Sequence, residues 1–228
     1  GALGKVDLRL RRANSWRPEG SAELLQFGIG PVGRAPGIVD LDGRFHGTAT
    51  AGEIQLRSPQ FHLLMPQHLR LPEGAELPAG RLGWRYDPDG LRIRADDFAV
   101  RREDVHGEAS ARLWLPKDGS SPVLALHAAV HQMDMRSTTR LLSATHLPVA
   151  TLAWLDAAFV SGEVTEGTID YAGRMRCFPF RYGGGEFRVK VRTAGARLHY
   201  ANGWADLENL VAEVNLSSLG VDTRLYSG

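Results

Sequence analysis

The feature that most constrains this chain is a period of two that runs almost from end to end. Val105, Ala109, Ala111, Leu113 and Leu115 share one parity, while His106, Glu108, Ser110 and Arg112 share the other. Successive side chains of a strand point to opposite faces, so this stretch predicts a strand with one apolar and one wet face. After a turn at 118–122 the pattern returns in Leu124, Leu126, Ala128 and Val130, and later in Phe187, Val189 and Val191 against Arg188, Lys190 and Arg192. Shorter alternations fall at Val6–Leu10, Leu25–Ile29, Ile54–Leu56, Phe61–Met65, Leu82–Tyr86, Leu91–Ile93, Ile169–Tyr171, Leu198–Tyr200, Ala212–Leu216 and Val221–Leu225. One-sided strands of this kind build antiparallel sheets.

Between them lie turn signals. Asp87-Pro88-Asp89-Gly90 and Asn202-Gly203 read as tight turns, Trp16–Gly20 as a turn region, and 31–37 as a loop. Pro66, Pro72 and Pro78 predict an irregular crossing or edge segment over 66–79. A loose resemblance between Gly80–Ala95 and Gly185–Ala201 has no fixed period, so no solenoid is predicted. Two stretches leave the period of two. Residues 136–143 predict a short helical turn opened by Ser137. Over 151–160, Thr151 can act as an N-cap, Leu152, Leu155 and Phe159 recur at helical spacing, and Gly162 supplies a left-handed stop. This is the one short amphipathic helix, expected to act as a lid. Phe178-Pro179-Phe180 is expected to pack against it, with Trp154 and Trp204 in the core.

A size argument turns these elements into a fold class. About fifteen strands at ~4.8 Å spacing make a sheet roughly 70 Å across. A helix of about ten residues is ~15 Å long and covers two or three strands. The rest of the apolar face must meet itself or something else, because sheets wider than about ten strands curl or split. The expectation is an all-β, mainly antiparallel fold with a curled trough-like or sandwich-like sheet. Along the chain it divides into a mostly β section 1–135, a helical insertion 136–162 and a β section 163–228, read as a fragment of a longer β domain because both ends fall in strand patterns.

Composition narrows the chemistry. Of 228 residues, 43% are hydrophobic and 23% charged, which describes a folded chain rather than a disordered one. A net charge of +1 argues against nucleic acid as a partner. His127 and His131 would be ~13 Å apart along a strand and cannot share a metal ion. Asp96-Asp97 and Glu103-Asp104 are adjacent pairs whose side chains diverge in a strand, so surface solvation is expected. The single cysteine, Cys177, has no histidine beside it in sequence and reads as an inert thiol. No phosphate-cradling glycine loop, nucleophile elbow or metal cluster is present, so catalysis, a metal and a cofactor are not expected.

A resemblance covers most of the chain. Leu147-Pro148, Thr151-Leu152-Ala153-Trp154-Leu155, Phe159–Gly162, Phe178-Pro179-Phe180, Gly185-Glu186-Phe187 and the run Leu198–Trp204 with Leu207 resemble the YhdP branch of the AsmA-like, TamB-related envelope proteins. Phe27, Pro36-Gly37, Leu41-Asp42-Gly43 and Gly52–Leu56 are similar to the segment that precedes these in the same family. Cys177 stands where the family usually has an acidic residue, and Ala205 where it favours proline. The resemblance implies an envelope protein of Gram-negative bacteria, anchored in the inner membrane by a segment outside this chain, with a periplasmic β-trough that carries phospholipid. On that basis the apolar face is expected to contact acyl chains through Ala109, Ala111, Leu113, Leu115, Leu124, Leu126, Val130, Phe187, Val189 and Val191. The rival expectation is a closed all-β module with structural or interaction duties and no lipid; a glycan hydrolase is a distant third, with no carboxylate pair placed for it.

Overall fold

In the computed structural model, residues 2–12, 16–30, 37–64, 74–102, 105–140, 149–201, 203–218 and 220–227 are described. The strands are β1 (Ala2–Arg12), β2 (Trp16–Ile29), β3 (Gly37–Gly47), β4 (Ala51–Leu64), β5 (Gly74–Asp87) and β6 (Gly90–Arg102), followed by β7 (Val105–Pro116), β8 (Val123–Asp134), β9 (Phe159–Arg174), β10 (Gly185–Leu198), β11 (Leu207–Ser217) and β12 (Gly220–Ser227). Two helices, α1 (Met135–Arg140) and α2 (Val149–Ala158), stand between β8 and β9. Every strand pairs with the next in chain order, giving one antiparallel sheet of 12 strands. Among the described residues its first and last strands are not joined to each other. The sheet is therefore open, neither barrel nor two-sheet sandwich.

Twelve strands replace the expected fifteen because several short alternations fuse. Ile54, Leu56, Phe61 and Leu63 all belong to β4, and the supposed turn Trp16–Gly20 lies inside β2. The irregular segment predicted over 66–79 is β5 from Gly74 onward; residues 66–73, like 103–104 and Asn202, lie outside the described set. Leu198 ends β10, so Tyr200 is not in a strand.

What fused these alternations is a line of β-bulges. Every strand pair except β8–β9 shows a register shift, and all the shifts fall toward the end where the longer connections run. A bulge inserts one residue opposite none, bends its strand and strengthens the local twist. The extra residue often needs positive φ, which side chains able to bond locally tolerate best. Gln26 (φ 49), Asp40 (φ 62), Asp97 (φ 55) and Asn209 (φ 55) supply it, with Gly195 (φ 56) in β10. Three adjacent strands are tied at this line: Asp42 Oδ1 accepts the Gln26 N–H at 2.7 Å, and Ser58 Oγ accepts the Asp42 N–H at 2.7 Å. Ser58 is buried at 1% exposure, with its hydroxyl partnered.

Beyond the bulges the sheet carries its dry core. Leu41, Leu56, Phe61 and Leu77 form a dry cluster, joined by Ile54, Leu82, Phe98 and Val100. On β8–β11 the same end is sealed by Met133, Val164, Ala196 and Leu210, and α1 packs on β8 and β9 there. The opposite end holds the tight hairpins, such as Asp87–Gly90, where Asp87 Oδ1 accepts the Asp89 N–H at 3.1 Å.

The helices correct several expectations. Asp134, not Ser137, caps α1: its Oδ1 accepts the Arg136 N–H at 2.8 Å, and Ser137 is buried inside the first turn. Asp134→Ala is expected to cost about 1 kcal/mol through the lost cap; an unchanged urea midpoint would remove that role. The second helix ends at Ala158, so Phe159 opens β9 in register with Leu198 instead of serving as lid. Gly162 (φ 128) lies within β9, where a Cβ would stand 2.6 Å from the Ala196 Cα; it allows a close strand approach and stops no helix. The side chains of Thr151, Leu152 and Leu155 lie outside the described set. Trp154 and Trp204 are surface residues at 43% and 69% exposure, linked through Tyr200, whose carbonyl accepts the Trp154 Nε1–H at 3.0 Å.

Candidate functional site

Strand register assembles the apolar side chains into rows that cross the sheet. One row begins at Ala22, Phe45, Ile54 and Leu82, each the registered partner of the one before. It continues unbroken through Ala95, Ala111, Leu126, Tyr171 and Phe187. That is a single apolar line from β2 to β10, perpendicular to the strands. A parallel row toward the hairpin end runs Gly47, Gly52, Trp84, Ile93, Leu113, Leu124, Gly173 and Gly185. A third, on the other side, runs Ala109, Ala128, Ile169, Val189 and Leu216.

Three glycines of the second row, Gly52, Gly173 and Gly185, are covered by aromatic rings. A Cβ on Gly52 would lie 2.6 Å from the Trp84 ring, which stacks on Phe45 with centroids 5.5 Å apart. Phe180, 4% exposed, lies over Gly173 and Gly185, and a Cβ on Gly173 would stand 2.8 Å from it. Removing a side chain from the sheet thus makes room for a ring to lie flat on the backbone.

All ten expected groove residues fall on this one face. Ala109, Ala111, Leu113, Leu115, Leu124, Leu126, Val130, Phe187, Val189 and Val191 are each half-buried, neither sealed nor fully exposed. Ile169 and Leu216, in the same rows, are 37% and 36% exposed. The sequence reading singled out only the stretch on β7, β8 and β10; Phe45, Ile54, Leu82, Trp84, Ile169, Tyr171 and Leu216 carry the face across the rest of the sheet. Their signal is the same alternation. Burial pushes the Tyr171 phenol up, so the hydroxyl stays neutral within an apolar row.

Phe178-Pro179-Phe180 does not touch α2. It sits at the far end of β9, ~50 Å of strand from the helix at ~3.3 Å per residue. There Phe178 packs on Tyr171 and Phe187, with centroids 6.0 and 5.3 Å away. The knot extends the apolar rows outward, at the rim.

The other face is a lattice of exposed ion pairs. Arg94 lies between Glu53 at 3.4 Å and Asp96 at 2.8 Å, Arg112 reaches Asp96 at 2.6 Å, and Arg81 pairs with the bulge residue Asp97. His199 and Arg197 each reach Asp206 at 2.7 Å and hold its carboxyl below the usual carboxylate range. Exposed pairs of this kind contribute little stability; they keep the face soluble and in register. His127 and His131 do not converge: each faces its own carboxylate, Asp170 at 2.7 Å and Glu108 at 3.7 Å.

One arrangement on this face looks like nucleophile chemistry. Ser110, His127 and Asp170 are registered neighbours on β7, β8 and β9 and line a hollow of about 540 Å³ with Arg112, Glu186 and Arg188. Activation of a serine needs a hydrogen bond from its hydroxyl to the imidazole, and an oxyanion needs free backbone donors. Ser110 Oγ makes no hydrogen bond among the described residues, and the backbone donors around it are engaged in the ladders. The row reads as solvated polar lattice. Among the described residues, no group of three or more His, Cys, Asp or Glu side chains could hold a metal ion, and Cys177 is a half-buried free thiol. No helix is long and apolar enough to cross a membrane among the described residues.

Comparison with known proteins fits the geometry. The family described as YhdP protein matches residues 1–228. The intermembrane phospholipid transporter YhdP of Escherichia coli (strain K12) is 22% identical over 186 residues, which is 82% of this chain and 15% of that relative. The chain thus spans a small part of the curated relative it matches. No solved structure matches.

Proposed function

The chain belongs to the YhdP family, and from that premise we propose that it is one section of a periplasmic β-trough that carries phospholipid between the inner and outer membranes of a Gram-negative envelope. It acts as a carrier surface, not an enzyme, and is held to the inner membrane by an anchor elsewhere in the protein. The observation that carries this reading is the unbroken apolar row from Ala22 to Phe187 on an open sheet.

Magnitudes support it. Nine strands at ~4.8 Å make a row about 38 Å long, longer than the ~30 Å hydrocarbon thickness of a whole bilayer. An acyl chain lying along the row has room to slide. Each CH₂ removed from water contributes ~0.8 kcal/mol, so partial burial on half-covered side chains is enough to retain a lipid without trapping it. The relative's name as an intermembrane phospholipid transporter points to the same cargo.

The dry cluster around Leu77 favours the second reading, a closed module without lipid. A photo-crosslinking residue separates the two. Placed at Ala111 or Leu113 in the full-length protein in cells, it is expected to capture phospholipid; placed at Ser110 or Arg112 on the other face, it is not. Adducts with protein alone from the Ala111 position would favour the closed module.

A further inference from the structure

The loop that joins β9 to β10 combines features found nowhere else among the described residues. From Tyr171 to Gly185 the chain carries no carboxylate, yet it holds Arg174, Arg176 and Arg181. Elsewhere on the sheet most arginines face an acid, as Arg81, Arg92, Arg94, Arg112, Arg192 and Arg197 do. These three are exposed and make no ion pair among the described residues. Asp118, in the β7–β8 turn, is occupied by the Ser120 N–H at 2.8 Å.

The loop is also a built structure. Its base is closed by Arg174 N–H to Gly184 O at 3.4 Å, and two turns follow, Phe180 N–H to Cys177 O at 2.6 Å and Gly183 N–H to Phe180 O at 3.0 Å. It is pinned to the β7–β8 turn, where Pro122 O accepts the Met175 N–H at 2.9 Å and Ser121 Oγ the Arg176 N–H at 3.1 Å. From this frame Met175, Phe178 and Tyr182 are exposed at 47%, 47% and 103%. Phe178 meanwhile packs on Tyr171 and Phe187, the last two members of the long apolar row. Arg176 and Arg181 flank the turn closed by the Phe180 N–H, so two guanidinia without an acid partner and the exposed apolar side chains share one short loop at the end of the row.

An amphiphile has the same two parts at the same junction. We infer that the loop after β9 is a headgroup site, in which Arg176 and Arg181 hold the phosphodiester of an anionic phospholipid whose acyl chains lie on the row ending at Tyr171 and Phe187; Arg174, still in β9 and registered with Val123, belongs to the opposite face. Guanidinium presents several donors in a planar fork suited to phosphate oxygens. Arginine beside an aromatic and apolar rim is also the composition that settles at a lipid interface. The inference rests on the reading of the apolar face as a lipid surface, and the test keeps the two apart.

The test measures binding of short-chain phosphatidylglycerol, diacylglycerol with the same chains, and inorganic phosphate to the purified chain, wild type and with R176Q and R181Q combined. Phosphatidylglycerol is expected to bind wild type at least about tenfold more tightly than diacylglycerol, an advantage built from the roughly tenfold or smaller gain that each cation near an anionic lipid supplies. The glutamine variant is expected to lose that advantage while its diacylglycerol affinity is unchanged, and combined R176K and R181K to keep most of it, which excludes misfolding as the cause. Equal binding of the two lipids to wild type overturns the headgroup site and leaves the lipid surface standing. Binding of neither lipid overturns both. Inorganic phosphate competing as strongly as the lipid would mark a free-anion site and also overturn the inference.

Discussion

Replacing Phe180 with alanine is expected to lower the stability of the folded chain by about 3–5 kcal/mol, the range for truncating a buried aromatic side chain. The ring is 4% exposed and lies over the paired glycines Gly173 and Gly185, within 5.1 Å of the Tyr171 ring centroid. No side chain is present beneath it to collapse into the space, so the cavity stays open or fills with water against an apolar surface. Phe178→Ala is the built-in comparison. That ring is 47% exposed, has given up less contact with water, and is expected to cost clearly less. Urea midpoints of the two variants measure the difference. Equal losses would mean that the knot is held by something other than Phe180 on its glycine pair.

The same knot shows what the sequence can and cannot disclose. An aromatic–proline–aromatic motif announces a packed corner, and the chain has one; nothing in the motif says which partner it packs on. Helix α2 is nearer to the knot in sequence than the glycines of β10 are conspicuous, yet ~50 Å of strand separates them in space. Alternation, by contrast, was enough to give antiparallel strands and to place all ten groove candidates on one face, because parity in a strand is geometry. The bulges were also legible, in a signal that alternation alone overlooks. In β6 the apolar set is Leu91, Ile93 and Ala95, then Phe98 and Val100; the parity flips across Asp96-Asp97. In β2 it flips at Gln26, between Leu24 and Phe27, which leaves Leu25 on the wet face at 43% exposure. In β10 it flips at Gly195, between Val191 and Ala196. Each flip sits beside a residue that tolerates positive φ. Read as strand ends, such flips multiply the strands; read as bulges, they curl one sheet. Helix caps were harder, since Asp134 and Ser137 both suit the role and only the position of the first turn chooses between them.

The curl is what gives a substitution at Ala111 its meaning. Ala111 stands in the middle of the long row, registered with Ala95 on one side and Leu126 on the other, and three small or medium side chains in succession leave space above the sheet. In a closed core the opposing wall would fill that space, and a carboxylate there would be desolvated without a partner, a change that disrupts folding. On an open trough the carboxylate can keep water when the groove is empty, and it meets the full penalty only when an acyl chain slides over it. Ala111→Asp in the full-length protein is therefore expected to abolish lipid capture by a crosslinker at Leu113 and to block transport. Its melting temperature is expected to fall far less than that of Leu77→Asp in the dry cluster, where Leu77 is 1% exposed. Ser110→Asp, one residue away on the wet face, is expected to change neither. Should Ala111→Asp unfold the chain as thoroughly as Leu77→Asp does, the space above Ala111 is occupied by protein, and the section braces the envelope protein without carrying its cargo.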